Sequence, residues 1–99
     1  MNISKEQSGN SLTIALEGRL DTMTSPELEA EIKDLPADVK DLTLDLGALE
    51  YISSAGLRVL LAAHKLMSGR DGAMKVTKPN EIVREVLDVT GFCDILNIG

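Results

Sequence analysis

Two adjacent serines, Ser53 and Ser54, stand where an apolar strand pattern gives way to an amphipathic helix pattern. A helix start presents backbone N–H groups that lack intrahelical acceptors, together with the positive end of the helix dipole. That combination favours a negative group such as a phosphate. A hydroxyl placed there is a candidate site of modification. The plainer alternative is that one of the two serines is a helix N-cap, worth about 1 kcal/mol, and nothing more. Gly56, in the first turn, is unfavourable by up to about 1 kcal/mol against alanine, which suggests that backbone or a partner must come close at that point.

The helix that follows runs from about Ser54 to Ser68 and is expected to stop near Gly69. At about 100° per residue, Ala55, Val59, Ala62, Ala63 and Leu66, with Leu60 and Met67 beside them, form an apolar arc expected to face the core. Ser54, Arg58, Lys65 and Ser68 lie opposite. Leu61 projects among these polar residues, while Leu57 borders them with His64 alongside. A strip of Leu57, Leu61, Arg58, Lys65 and His64 beginning at Ser54 has the make-up of a docking surface, apolar with a charged rim. Single exposed leucines are also ordinary, and a loop covering them would serve equally well.

Catalysis is a poor fit. Ser54 and His64 lie ten residues apart on one helix, about 15 Å along its axis, too far for a nucleophile–base hydrogen bond. The chain has no Gly-x-Ser-x-Gly elbow and no Gly-x-x-x-x-Gly-Lys phosphate loop. His64 is the only histidine and Cys93 the only cysteine, so no metal-ligand spacing exists and no cofactor or metal is expected. Cys93 reads as a small core residue.

Around this junction the other elements fall in order. Asn2 to Gln7 is a candidate edge strand, and Ser8-Gly9-Asn10 a hairpin turn. From Ser11 to Glu17, Leu12, Ile14 and Leu16 alternate with Thr13, Ala15 and Glu17, the period of a half-buried strand. Gly18-Arg19-Leu20-Asp21 is expected to leave it. Thr24-Ser25-Pro26-Glu27 carries helix-start signals, and Leu28, Ile32 and Leu35 form one stripe before Pro36. Glu29, Glu31, Lys33 and Asp34 fill the solvated faces of that helix.

The second strong strand is Asp41 to Leu46, with Leu42, Leu44 and Leu46 alternating against Thr43 and Asp45, and a tight polar turn is expected to join it to Ser53. Ala73 to Thr77 makes a short strand. Pro79-Asn80-Glu81 opens a helix with Ile82, Val83, Val86, Leu87 and Val89 inward and Gly91 as its stop. Phe92 to Ile98 is an apolar tail, strand or helical turn. A hairpin followed by βαβ units implies one α/β domain over residues 1–99, a small mixed sheet of about four to five strands with three main helices.

At 99 residues the chain can bury a single core, and with one Tyr, one Phe and no Trp that core must be aliphatic. The net charge of −6 disfavours nucleic acid and anionic membrane surfaces alike, although acidity is also a common route to solubility. The N-terminus has no apolar signal region and no run approaches ~18 apolar residues, so a cytoplasmic protein is expected.

Tyr51-Ile-Ser-Ser-Ala-Gly-Leu-Arg-Val-Leu-Leu61 resembles the phosphorylation loop and helix of bacterial anti-sigma-factor antagonists, the STAS domain family. Gly18-Arg-Leu-Asp21 resembles that family's Gly-x-Leu/Ile-Asp motif. The Leu42–Leu46 strand, Val76-Thr-Lys-Pro79 and Asp88-Val-Thr-Gly-Phe92 follow in the family's order, so the resemblance spans essentially the whole chain.

The resemblance implies a STAS-like fold and a regulator, not an enzyme. In it, the serine matching Ser54 is phosphorylated by a partner kinase that is also the anti-sigma factor. The unphosphorylated antagonist binds that kinase, frees the sigma factor and so controls transcription; a serine phosphatase resets it. Ser53 stands where the family usually has Asp, leaving two adjacent hydroxyls, of which spacing to Gly56 favours Ser54. Asp21 joins the expected partner surface with Ser53, Gly56, Leu57, Arg58, Leu61, His64 and Lys65, either disfavouring a phosphate or orienting the acceptor hydroxyl. The alternative is a STAS-like binding module that is never phosphorylated, an accessory subunit of a transport or signalling complex. A monomer is expected, with weak dimerisation the alternative.

Overall fold

The computed structural model describes residues 1–98, and the reading of Cys93 as a core residue falls outside the described side chains. A two-residue turn at Gly9-Asn10, with Gly9 at φ +60°, folds strand β1 (Asn2–Ser8) antiparallel onto β2 (Ser11–Leu20). Three crossovers follow. Helix α1 (Ser25–Lys33) leads to β3 (Asp41–Ile52), α2 (Ser54–Gly69) to β4 (Ala73–Thr77), and α3 (Glu81–Val89) with a single turn α4 (Phe92–Ile95) to the two-residue β5 (Asn97–Ile98). The strands stand in chain order β1-β2-β3-β4-β5, with β2 to β5 parallel. Right-handed crossovers that always step in the same direction place every helix on one face of the sheet.

The burial pattern agrees with that arrangement. Leu12, Ile14 and Leu16 of β2, Leu42, Leu44 and Leu46 of β3, and Met74 and Val76 of β4 are buried under the helices, in one cluster with Leu28, Ile32, Leu60, Ala63, Met67, Val83 and Leu87. Thr13, Ala15, Thr43, Asp45 and Lys75 carry the bare face. The tail contains both a helical turn and a strand, and Leu96 between them is buried.

Two expectations about the strands change. β2 does not end at Glu17 but continues through Gly18-Arg19-Leu20, and no tight turn follows Leu46 because β3 runs on to Ile52. The cause is a pair of irregularities. Ala15 pairs with Asp45 but Glu17 with Ala48, and Gly18 pairs with Leu49 but Arg19 with Tyr51, so β3 carries an extra residue at each step. Each extra residue shifts the alternation by one, and the inward positions of β3 become Leu42, Leu44, Leu46, Leu49 and Ile52. The period of two is lost while the strand persists. At the first step the Asp45 carboxylate accepts the Gly47 N–H at 2.9 Å; at the second, Gly18 adopts φ +105°, a region closed to side-chain-bearing residues at low cost.

In α3, Val83 and Leu87 are buried and Val86 is half-buried, but Ile82 is 59% exposed and Val89 78% exposed, against the inward placement expected for both. Asn80 fixes the rotation. Its Oδ1 accepts the Val83 N–H at 2.8 Å while its Nδ2 donates to the Leu49 carbonyl at 2.9 Å, pinning the helix start to the irregular part of β3.

Candidate functional site

The parallel strands β2 and β3 end together on the pair Leu20–Ile52, and the Ser53 N–H donates to the Leu20 carbonyl at 2.9 Å. Beyond this point the chains diverge, one into the Asp21 turn and the other into α2.

Ser53 and Ser54 divide the work of the helix start. Ser53 is the N-cap, with φ −99° and ψ 175°, and its Oγ accepts the Gly56 N–H at 3.4 Å while its carbonyl accepts the Leu57 N–H at 2.9 Å. Ser54 is the first helical residue. It is exposed, and neither its hydroxyl nor its N–H, nor the N–H of Ala55, has a partner among the described residues. One serine is consumed by capping and the other is free for chemistry.

Asp21 lies beside Ser53 at the strand ends, but its carboxylate is turned into its own loop. Oδ1 accepts the N–H groups of Met23 at 3.0 Å and Thr24 at 3.1 Å and the Thr24 hydroxyl at 3.2 Å. These bonds, the Thr24 N–H foremost, hold the carboxyl below the ordinary aspartate range against an opposing desolvation that ranks second, with the Arg19 charge the smallest contributor. Thr24 occupies the N-cap position of α1 without capping it; its hydroxyl donates to the Arg19 carbonyl at 2.7 Å. Asp21 makes no hydrogen bond to Ser54, so its expected part in orienting the acceptor hydroxyl is not present in this geometry.

Three residues around the site were not among those singled out from sequence. Arg19 stacks on the Tyr51 ring at 4.6 Å from its centroid and lies 3.9 Å from Asp21, and Met23 is 84% exposed at the tip of the Asp21 turn. Arg19 is the variable residue of the Gly-x-Leu-Asp motif. Only the displaced register of β3, which sequence periodicity could not reveal, brings Tyr51 opposite it.

The faces of α2 also require correction. Leu57 is only 5% exposed and Gly56 is buried, so neither belongs to an exposed strip. Ser54, Arg58 and Lys65 are exposed, Leu61 and His64 are half-buried, and Ala62 and Leu66, expected in the core, face solvent. The buried residues are Gly56, Leu57, Val59, Leu60, Ala63 and Met67, so Val59, Leu60, Ala63 and Met67 face the core as expected, and the buried arc extends toward Gly56 and Leu57 instead of Ala62 and Leu66. Gly56 sets this placement, because a Cβ there would lie 2.8 Å from Leu20 Cγ and 2.9 Å from Ile52 Cγ1. What comes close to the Gly56 backbone is the pair of buried side chains Leu20 and Ile52. On the opposite flank, a shallow crevice of about 210 Å³ between α1 and α2 is lined by Thr22, Ser25, Glu29, Ala55, Arg58 and Val59.

Among the described residues no group of His, Cys, Asp or Glu is placed to hold a metal ion, and no helix is long and apolar enough to cross a membrane. What the arrangement offers is an exposed hydroxyl with two unpaired N–H groups beside it, on a surface of mixed charge.

Comparison with known proteins gives that surface its context. Residues 3–97 match the family model described as Mlab, STAS domain. BtrV of Bordetella bronchiseptica, which carries the name anti-sigma factor antagonist, is 32% identical over 100 residues, spanning 100% of this chain and 86% of its own. The anti-sigma-B factor antagonist of Bacillus subtilis is 26% identical over 99 residues, spanning 100% of this chain and 91% of its own. The crystal structure of an anti-sigma factor antagonist from Mycobacterium paratuberculosis superposes with a TM-score of 0.87 at 26% identity, over 98% of this chain and 83% of that one. Sequence and fold agree along the whole described length: the chain belongs to the STAS domain family, among the anti-sigma-factor antagonists.

Proposed function

We propose that this protein works as a phosphorylation-switched antagonist, binding an anti-sigma-factor serine kinase through the Ser54 end of α2 and releasing it once Ser54 is phosphorylated. The observation that carries the reading is the division of labour between the two serines: Ser53 caps the helix, while the Ser54 hydroxyl is exposed and without a partner. A phosphate on Ser54 adds about −1.5 to −2 charge at neutral pH. The unpaired N–H groups of Ser54 and Ala55 make that charge tolerable to the fold. For a partner seated on this surface the same charge is a desolvated intruder, and every 1.4 kcal/mol lost is about tenfold in affinity.

The partner surface in this reading consists of Ser54, Arg58, Leu61 and Lys65, with His64 at its border and Met23, Arg19 and Tyr51 across the strand ends. A serine phosphatase returns the protein to its binding form, and the cycle takes place in the cytoplasm.

Phosphopeptide mapping of the protein isolated from its own cells in growth and in stress tests the acceptor. Phosphate on Ser54 that varies with condition is the expected result. Phosphate on Ser53 would mean that the capping serine is the acceptor and would overturn the assignment. The variant Ser54→Asp should keep its fold and lose the kinase at least tenfold. Unchanged binding by Ser54→Asp, with no phosphate under any condition, would replace the switch with a constitutive binding module.

A further inference from the structure

We infer that Arg58 is an internal clamp for the phosphate on Ser54, so that modification both adds a dianion to the partner surface and withdraws its nearest cation. The inference rests on the reading of Ser54 as the phosphate acceptor and adds the residue that receives the charge.

Ser54 and Arg58 are four residues apart on α2 and both are exposed. Helical residues at this spacing are surface neighbours with Cβ atoms about 6 Å apart. Side chains on a helix lean toward its N-terminus, so a long side chain at the later position reaches back over the earlier one. An anion preceding a cation by four residues is also the favourable polarity for such a pair. Among the described residues Arg58 makes no ion pair or hydrogen bond, whereas Arg19 lies against Tyr51 and Asp21. The other charges around the position are already engaged or opposed in sign. Glu29 of α1 lines the same crevice as Arg58 but pairs with Lys33 at 3.3 Å, and the Asp21 carboxylate is held by its own turn.

A guanidinium presents a planar fork of donors suited to two phosphate oxygens at once. In the unmodified protein this fork is free for a partner's carboxylate. With phosphate on Ser54 it turns inward, and the formal charge of the pair passes from about +1 to about −1. The partner therefore loses an attraction at the moment it gains a repulsion, without any rearrangement of the fold.

The test uses the full chain with phosphoserine installed at position 54 during synthesis, titrated by phosphorus NMR. A free phosphoserine loses its second proton near pH 6. In the parent protein that pKa should lie about 0.15 to 0.4 unit lower than in the R58Q variant, the size of a well-placed helical ion pair at 1.36 kcal/mol per unit. R58K should keep part of the difference. Identical titration of parent and R58Q would overturn the clamp. Because the phosphate is installed chemically, a shifted pKa together with no phosphate on Ser54 in cells would sink the switch reading and leave the clamp standing. Phosphate found in cells with no shift would do the reverse.

Discussion

The guanidinium of Arg19 lies 4.6 Å from the centre of the Tyr51 ring, and the two residues are register partners in the parallel β2–β3 ladder. The same guanidinium lies 3.9 Å from the Asp21 carboxylate, so the stack also sets the position of a cation at the mouth of the Asp21 turn. The turn itself does not depend on that cation. The depressed Asp21 pKa comes first from the Thr24 backbone N–H and only last from Arg19. Substituting Arg19→Gln should therefore leave the Asp21 carboxyl titrating below 3.8, as read by carbon NMR of the side chain. An Asp21 pKa that returned to its ordinary value in this variant would show that the charge, not the turn, governs it.

A carboxylate with a depressed pKa in the folded state contributes stability above its unfolded pKa and loses it as pH falls through the folded value. For Asp21 that window opens below the ordinary value of 3.8. The Asp21→Asn variant should show a shallower fall of stability with acid than the parent, measured by urea unfolding at a series of pH values. Parallel acid limbs in the two proteins would remove Asp21 from the acid response.

A Cβ added at Gly56 of α2 would meet Leu20 and Ile52 of the sheet at under 3 Å, and both side chains are essentially inaccessible to solvent. Alanine is the better helix former by up to about 1 kcal/mol, yet its methyl would need two packed side chains to move. Overpacking of this kind costs about 1–3 kcal/mol. Gly56→Ala should lose about 1–2 kcal/mol in denaturant unfolding, the clash outweighing the propensity. A more stable variant would mean that Leu20 or Ile52 can give way.

Much of this fold was legible because its signals are local. The alternation of Leu12, Ile14 and Leu16, that of Leu42, Leu44 and Leu46, and the Ser53-Ser54 junction each declare their element within a few residues. The stretch from Gly47 to Ile52 was not legible, since two extra residues in β3 break its period and their cause lies in pairing with β2. The face of α2 is legible only in part, Val59, Leu60, Ala63 and Met67 lying inward as expected while Ala62 and Leu66 do not, for a related reason. A wheel built on hydrophobicity gives glycine no weight, whereas the helix is seated on Gly56 because it lacks a side chain. The candidate site suffered on both counts. Leu57 moved into the core, and the Arg19–Tyr51 pair emerged only with the register.

The same lesson can be tested in α3, where Ile82 and Val89 face solvent and Leu87 is fully buried. Ile82→Ser and Val89→Ser should each change stability by no more than about 0.5 kcal/mol, as surface substitutions do. Leu87→Ala should cost about 2–5 kcal/mol through lost transfer energy and the cavity left behind. A large loss at Ile82 or Val89 in thermal or denaturant unfolding would show that these side chains are covered in solution.

The end of α2 places an aspartate where glycine is usual. Arg70 closes the helix, Asp71 adopts φ +57°, and Gly72 N–H donates to the Met67 carbonyl at 2.7 Å while Asp71 N–H donates to that of Ser68 at 3.3 Å. This is the Schellman arrangement, whose left-handed residue is favoured as glycine because any side chain there is strained. The helix stops at Gly69, near where it is expected to, and Gly72 is glycine for a different reason, since a Cβ at that position would meet the Lys40 carbonyl oxygen at 2.6 Å. The Asp71 carboxylate also sits at the negative end of the helix dipole, where an anion is disfavoured. Both effects point the same way. Asp71→Gly should raise stability by about 0.5–1 kcal/mol, while Gly72→Ala lowers it by more, because the opposing atom is backbone. Measured together in one denaturant series, opposite signs at adjacent positions would separate strain in φ from lack of space. If both variants proved weaker than the parent, the Asp71 side chain would have to supply a contact that outweighs its strain.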